Sequence, residues 1–169
     1  IENQMEGKFR PGHFDGVGTI VKRLFEIVQP THAYVGEKDF QQLQIVKKLV
    51  SKYNIPVKVI GCPIYRETNG LAMSSRNERL SKTEREKAEL IFETLNHAKQ
   101  LFDTKSAKEV SQWVTNAFAK QQLFELEYFQ IADEETLLPC VRKTKSKKYR
   151  AFIAVFVNNI RLIDTISLN

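Results

Sequence analysis

Residues Gly61 to Asn77 read GCPIYRETNGLAMSSRN, and the apolar run Val57-Lys58-Val59-Ile60 leads into them. An apolar run that ends in a glycine reads as a buried strand. The loop after it carries Arg66 and Glu67, a flexible Asn69-Gly70, and then Met73-Ser74-Ser75-Arg76-Asn77. It sets two hydroxyls, a guanidinium and an amide side by side. Hydroxyls and backbone N–H groups cradle phosphate oxygens, and arginine grips them as a planar fork. The same residue types also make an ordinary polar turn.

Upstream, His32-Ala33-Tyr34-Val35-Gly36 reads as a second strand that runs into a glycine turn. Asp39 is placed to cap a helix with Phe40, Leu43, Val46, Leu49, Val50 and Tyr53 on its buried face, stopped by Asn54 and Pro56. Strand, glycine turn, helix, strand is a βαβ unit, so the two strands are expected to be parallel. Lys8 to Phe14 reads as a loop. Asp15 is expected to cap a helix with Val17, Val21, Leu24, Phe25 and Val28 on one face, and Pro30 ends it. Two parallel strands alone make no stable sheet, so further strands are expected in an N-terminal part that this sequence lacks.

Downstream the pattern changes. Ser81-Lys82-Thr83-Glu84 and Ser106-Ala107-Lys108-Glu109 are capping boxes. The first opens a helix with Ala88, Ile91, Leu95, Ala98 and Phe102 on one face. The second opens one that carries Val110, Trp113, Val114, Ala117 and Phe118. Three strands follow, at Phe124–Ile131, Tyr149–Val157 and Ile160–Ile166. The first shifts phase between Tyr128 and Phe129, which points to a bulge. The middle one is apolar throughout and is expected to be central, and Asn158-Asn159 is a two-residue turn into the last. The fold class is therefore α/β: a partial Rossmann-like parallel βαβ segment, then a small α+β domain with two helices and a three-stranded antiparallel sheet. The expected domains are 1–73, part of a nucleotide-binding domain, and 74–169, a small domain acting as a lid hinged near Asn69 to Ser81.

The chain has 169 residues, 42% of them hydrophobic, enough for a packed core and against a disordered chain. No apolar run reaches the length of a membrane span. Cys62 and Cys140 lack metal-ligand spacing and read as reduced thiols of a cytoplasmic protein. The net charge is +6, and Arg142, Lys143, Lys145, Lys147, Lys148 and Arg150 supply as many charges within nine residues. The rest of the chain is neutral, so a globally basic nucleic-acid binder is not indicated. The run reads as a solvated hairpin tip, with anion or nucleic-acid binding as the alternative.

Gly36-Glu37-Lys38-Asp39 falls at the carboxyl end of a strand and the start of a helix, the edge where open parallel sheets bind ligands. The glycine admits a ligand to the backbone, Lys38 can neutralise a phosphate, and Asp39 can cap the helix or meet a ribose. With the Ser-Ser-Arg loop after the next strand, the pattern points to a polyphosphate site at which the two loops converge. Gln41 or Gln42 could add an amide for a polar substrate, or both could be helix surface. His13 reads as a general base, an amine contact or a plain loop histidine. His32, His97 and Trp113 carry no motif.

Three blocks, Arg10-Pro11-Gly12-His13-Phe14-Asp15-Gly16-Val17, Gly36-Glu37-Lys38-Asp39-Phe40-Gln41-Gln42-Leu43, and Arg66 through Asn77, resemble the signature blocks of the pantothenate synthetase (pantoate–β-alanine ligase) family, in order and spacing. The resemblance implies a nucleotidyltransferase-like enzyme that makes pantothenate from ATP, pantoate and β-alanine through a pantoyl adenylate, with Mg²⁺ as the ATP complex. It implies that Gly36, Glu37, Lys38, Asp39, Tyr65, Met73, Ser74, Ser75 and Arg76 bind ATP, and that Lys38, Ser74, Ser75 and Arg76 are catalytic. Gln42 would bind pantoate, with Arg10 and His13 on the border of the site. Tyr65 stands where the family usually has valine, which puts the shape of the adenine pocket in question.

The family's histidine-glycine-histidine motif and its other pantoate-binding glutamine are missing. The expectation is a C-terminal fragment, inactive alone, of a cytoplasmic enzyme that is a homodimer when intact and has no nucleic-acid or membrane partner. The alternative is a nucleotide- or nucleic-acid-binding module that uses the 142–150 run.

Overall fold

In a computed structural model, which describes residues 4–169, the chain divides into two compact units, one up to Ile64 and the other from Tyr65 to Asn169. The break falls before the 73/74 boundary expected from sequence. The segment from Asn69 to Ser81, expected to hinge, belongs to the second unit: Leu71, Ala72 and Leu80 are buried there.

The first unit holds α1 (Glu6–Phe9), α2 (His13–Val28), β1 (His32–Gly36), a 3₁₀ turn (Glu37–Asp39), α3 (Phe40–Lys52) and β2 (Lys58–Cys62). Strands β1 and β2 are parallel, in register from His32 opposite Lys58 to Gly36 opposite Cys62. Phe40, Leu43 and Val46 of α3 are buried as the helical spacing predicts, but Tyr53 is exposed and Gln41 is buried in its place. Gly61 permits this packing, since a Cβ there would lie 2.9 Å from Leu43 Cδ2.

Two readings of this unit are corrected. The stretch read as a loop from Lys8 is already helical at Glu6–Phe9, and α2 starts at His13 behind Gly12, whose φ of 76° is left-handed. Glycine alone takes that φ without strain, so it sets the helix start and leaves Asp15 in the first turn instead of at the cap. The apolar residues of α2 do not form a buried stripe either; Phe14 is buried, whereas Ile20, Leu24, Ile27 and Val28 are exposed.

The second unit holds a 3₁₀ turn (Ser75–Arg79), α4 (Lys82–Lys87), α5 (Glu89–Thr104), α6 (Ala107–Phe118), β3 (Phe124–Asp133), β4 (Tyr149–Val157) and β5 (Ile160–Ser167). Both capping boxes form: Ser81 and Ser106 each accept from the N3 backbone, and Glu84 and Glu109 return the bond. The helix expected from Ser81 is interrupted at Ala88, where Ile91 N–H donates to the Ala88 carbonyl in a tighter turn. Its predicted core face holds, with Ala88, Ile91, Leu95, Ala98 and Phe102 all buried.

The antiparallel order is β3-β4-β5. Strand β4 is central and buried at every position but Phe156, as its unbroken apolar run predicts. The register of β3 shifts between Leu126 and Tyr128, so a bulge forms at Glu127, whose carboxylate takes the Arg161 guanidinium. Val157 pairs with Ile160 across Asn158-Asn159. Among the described residues, no helix is long and apolar enough to cross a membrane.

The basic run is less free than a solvated tip. Lys143 donates to the Phe102 carbonyl near the end of α5 and lies over the Phe102 ring. Lys147 pairs with Asp133 at 3.4 Å and Arg150, buried, with Glu134 at 2.9 Å. That leaves Arg142, Lys145 and Lys148 in solvent.

Candidate functional site

In the first unit the glycine turn is open. Gly36 is extended, and no described atom lies within 4 Å of where its Cβ would sit. Neither backbone strain nor packing requires glycine there, so the space beside it is available to a ligand. Lys38 is 16% exposed, and its ammonium lies 4.0 Å from the Asp39 carboxylate, too long for a hydrogen bond. Asp39 precedes α3 but makes no capping bond, against expectation, because the 3₁₀ turn already leads the chain into the helix.

The two glutamines part company. Gln41 is buried; its Oε1 accepts from the Glu6 N–H at 3.1 Å and its Nε2 donates to the Gln4 carbonyl at 2.9 Å. It fastens the start of α1 to α3. Gln42 is half-buried, and its side-chain amide makes no hydrogen bond with the described residues.

Arg10 and His13 also come to this edge. Arg10 Nη1 lies 3.1 Å from His13 Nε2. A guanidinium can only donate, so Nε2 accepts and the imidazole proton sits on Nδ1. Burial and the Arg10 charge hold the His13 pKa below its ordinary value, against the opposing charges of Glu6 and Asp39. His13 is thus a neutral ring within the electrostatic reach of Asp39.

In the second unit, Tyr65 is 74% exposed and its carbonyl accepts from Met73 N–H at 2.9 Å. Met73, Ser75 and Arg76 are exposed, and Ser74 Oγ accepts from Arg76 N–H at 3.3 Å as the cap of the 3₁₀ turn. The Arg76 guanidinium has no partner among the described residues. Arg66, Glu67 and Asn77 of the same stretch are engaged instead. Arg66 binds Asp164, Glu67 binds Arg85, and the Asn77 amide donates to Glu67 and to the Ala72 carbonyl. Sequence reading missed these anchoring roles. The motif displays the residues, but their partners Arg85 and Asp164 lie outside it.

In the first unit a lysine and a glutamine amide lie beside the open glycine turn of a parallel βαβ unit, and in the second an arginine and two hydroxyls are displayed on one loop. The chain is of the α/β class, with a parallel pair of strands followed by an antiparallel sheet. Among the described residues, no group of three or more His, Cys, Asp or Glu side chains is placed to hold a metal ion.

The profile of the family described as Pantoate-beta-alanine ligase matches residues 1–167. A pantothenate synthetase of Flavobacterium psychrophilum is 71% identical over 168 residues, covering 99% of this chain and 60% of that protein. That of Christiangramia forsetii is 56% identical over 169 residues, again 60% of its length. The crystal structure of pantothenate synthetase from Thermus thermophilus aligns with a TM-score of 0.90 at 39% identity, covering 99% of this chain and 60% of that one. A pantoate-beta-alanine ligase from Francisella tularensis, crystallised with beta-gamma ATP and beta-alanine, aligns over 99% of this chain and 55% of its own at 30% identity and a TM-score of 0.65. The chain belongs to the pantoate-beta-alanine ligase family. It spans about 60% of the length of the curated relatives it matches.

Proposed function

We propose that this chain is part of an enzyme that joins pantoate to β-alanine with ATP, releasing AMP and pyrophosphate. The pantoate carboxylate attacks the α-phosphorus and pyrophosphate leaves. The β-alanine amine then attacks the acyl carbon of the adenylate, AMP leaves, and the amine's proton passes to solvent. Lys38, Arg76, Ser74 and Ser75 stabilise the charge that builds on the phosphate oxygens. Gly36, Glu37, Asp39, Tyr65 and Met73 complete the nucleotide contacts, and Gln42 takes pantoate. Arg10 and His13 border the site.

The residues fit an ATP whose phosphates themselves supply ligands to Mg²⁺; that ion would neutralise phosphate charge. The same reading makes the intact enzyme a cytoplasmic homodimer.

One observation carries the reading over a nucleic-acid module: Arg76, in the signature loop, is exposed and has no partner among the described residues, whereas three cations of the 142–150 run are tied into the fold. The test is pantothenate formation by the full-length protein. Lys38→Ala and Arg76→Ala should each lower kcat/KM for ATP by about a hundredfold. Turnover unaffected by either, or salt-dependent nucleic-acid binding lost when Arg142, Lys145 and Lys148 are neutralised, would overturn it.

A further inference from the structure

The segment from Met73 to Arg76 is strung between two fixed points. At one end Met73 N–H donates to the Tyr65 carbonyl, and Arg66 and Ala72 form an isolated antiparallel bridge. At the other end stands Asn77, 1% exposed, whose N–H donates to the Ser74 carbonyl at 3.0 Å. One nitrogen joins the two ends: Asn77 Nδ2 donates to the Ala72 carbonyl at 3.1 Å and to Glu67 Oε1 at 2.7 Å. Both partners only accept, which fixes the orientation of the amide.

The other carboxylate oxygen of Glu67 accepts from Arg85 Nε at 2.7 Å. That guanidinium, helped by the Asn77 amide, holds the Glu67 carboxyl below its ordinary pKa against the opposing effect of burial. Asn69 closes the ring, donating to the Arg85 carbonyl at 2.9 Å and accepting from Leu71 N–H at 3.2 Å. These side chains face one another, while the side chains they hold up, Ser75 and Arg76, face solvent.

We propose that Glu67, acting through Asn77 and itself held by Arg85, is a positioning residue that presets the Ser74-Ser75-Arg76 loop for the phosphates of ATP. The inference rests on the ligase reading above. Donors held in place before the substrate arrives need no reorganisation as charge develops, and small misplacements are costly in rate.

The bond that matters is the one from Asn77 to Glu67, not the ion pair on the far side of the carboxylate. Four variants of the full-length protein separate the two. Glu67→Gln and Arg85→Gln break the ion pair but leave Asn77 its acceptor. Glu67→Ala removes the acceptor, and Asn77→Asp sets a second carboxylate against the first.

The expected result is that Glu67→Ala and Asn77→Asp raise KM for ATP by about tenfold, with KM for β-alanine unmoved. Glu67→Gln should restore most of the loss at the same melting temperature as Arg85→Gln. The deficit of Asn77→Asp should shrink as pH falls, because one of two facing carboxyls then takes a proton and can donate. ATP parameters that follow melting temperature across all four variants would reduce Glu67 to a packing role and overturn the proposal. So would a Glu67→Ala variant with the wild-type KM for ATP. A wild-type protein that binds no ATP would instead bring down the ligase reading, and this inference with it.

Discussion

Arg66 and Asp164, 98 positions apart, meet at two points: Nη1 to Oδ2 at 2.6 Å and Nη2 to Oδ1 at 3.0 Å. The Asp164 side chain is 2% exposed, and the Arg66 guanidinium lies 3.8 Å from the centre of the Phe92 ring. Removing one partner leaves the other charge buried and unmatched. Asp164→Ala should therefore cost about 3–5 kcal/mol in a urea melt. Asp164→Ala combined with Arg66→Met should cost less than the sum of the single changes.

Gly70 sits under that pair with φ at +89°, and a Cβ on it would come within 2.5 Å of Phe92 Cδ1. Gly70→Ala meets both the left-handed backbone and the ring. It should destabilise by more than about 1 kcal/mol in denaturant titration. Adding Phe92→Leu should recover only part of this, because the backbone strain stays.

The two adjacent glutamines of α3 should fail differently. Gln41→Ala strips the buried partners of Gln4 and Glu6 and should lower stability by about 1–3 kcal/mol. Gln42→Ala should leave the melting temperature close to wild type and raise KM for pantoate. If both variants changed only stability, Gln42 would lose its assignment to the substrate.

His13 gives a pH signature. Its pKa is lowered in the folded chain, chiefly by burial and then by Arg10, so the native state binds fewer protons than the unfolded one. The stability this confers is fully present above the unfolded imidazole pKa and is lost as pH falls through the lower folded value. NMR titration of the full-length protein should place the ring below the free-imidazole midpoint. Arg10→Gln should raise it towards that midpoint.

The 142–150 run divides into bound and unbound cations. Changing Arg142, Lys145 and Lys148 together to Gln should alter stability by no more than about 0.5 kcal/mol for each position. Arg150→Gln leaves Glu134 without its partner and should cost about 3 kcal/mol in a thermal or denaturant melt.

What could be read in advance was local. The capping boxes at Ser81 and Ser106, the bulge near Tyr128, the buried β4 and the Asn158-Asn159 turn rest on spacings within a few residues, and each was legible. The glycine turn at Gly36 and the exposed Ser-Ser-Arg loop were legible as turns, because a glycine or a polar run between apolar segments marks one by residue type alone. The bonds of Arg66, Glu67, Gln41 and Lys143 were not legible, because each partner lies far along the chain and no periodicity records it. Leu24 and Val28 show the opposite failure. Their spacing predicted burial, yet α2 leaves them exposed, since a pattern can mark an apolar face without saying what covers it. The start of α2 was hidden in the left-handed Gly12, and the interruption at Ala88 has no sequence signal.

The turn between β4 and β5 has a kinetic consequence. Val157 finds Ile160 across only two residues, whereas β1 cannot find β2 until the whole α3 crossover has been laid down. Closing a short loop is quick and closing a long one is slow. The β4–β5 ribbon should therefore zip within microseconds and serve as the nucleus on which the Tyr65–Asn169 unit condenses. The parallel pair should acquire its amide protection later.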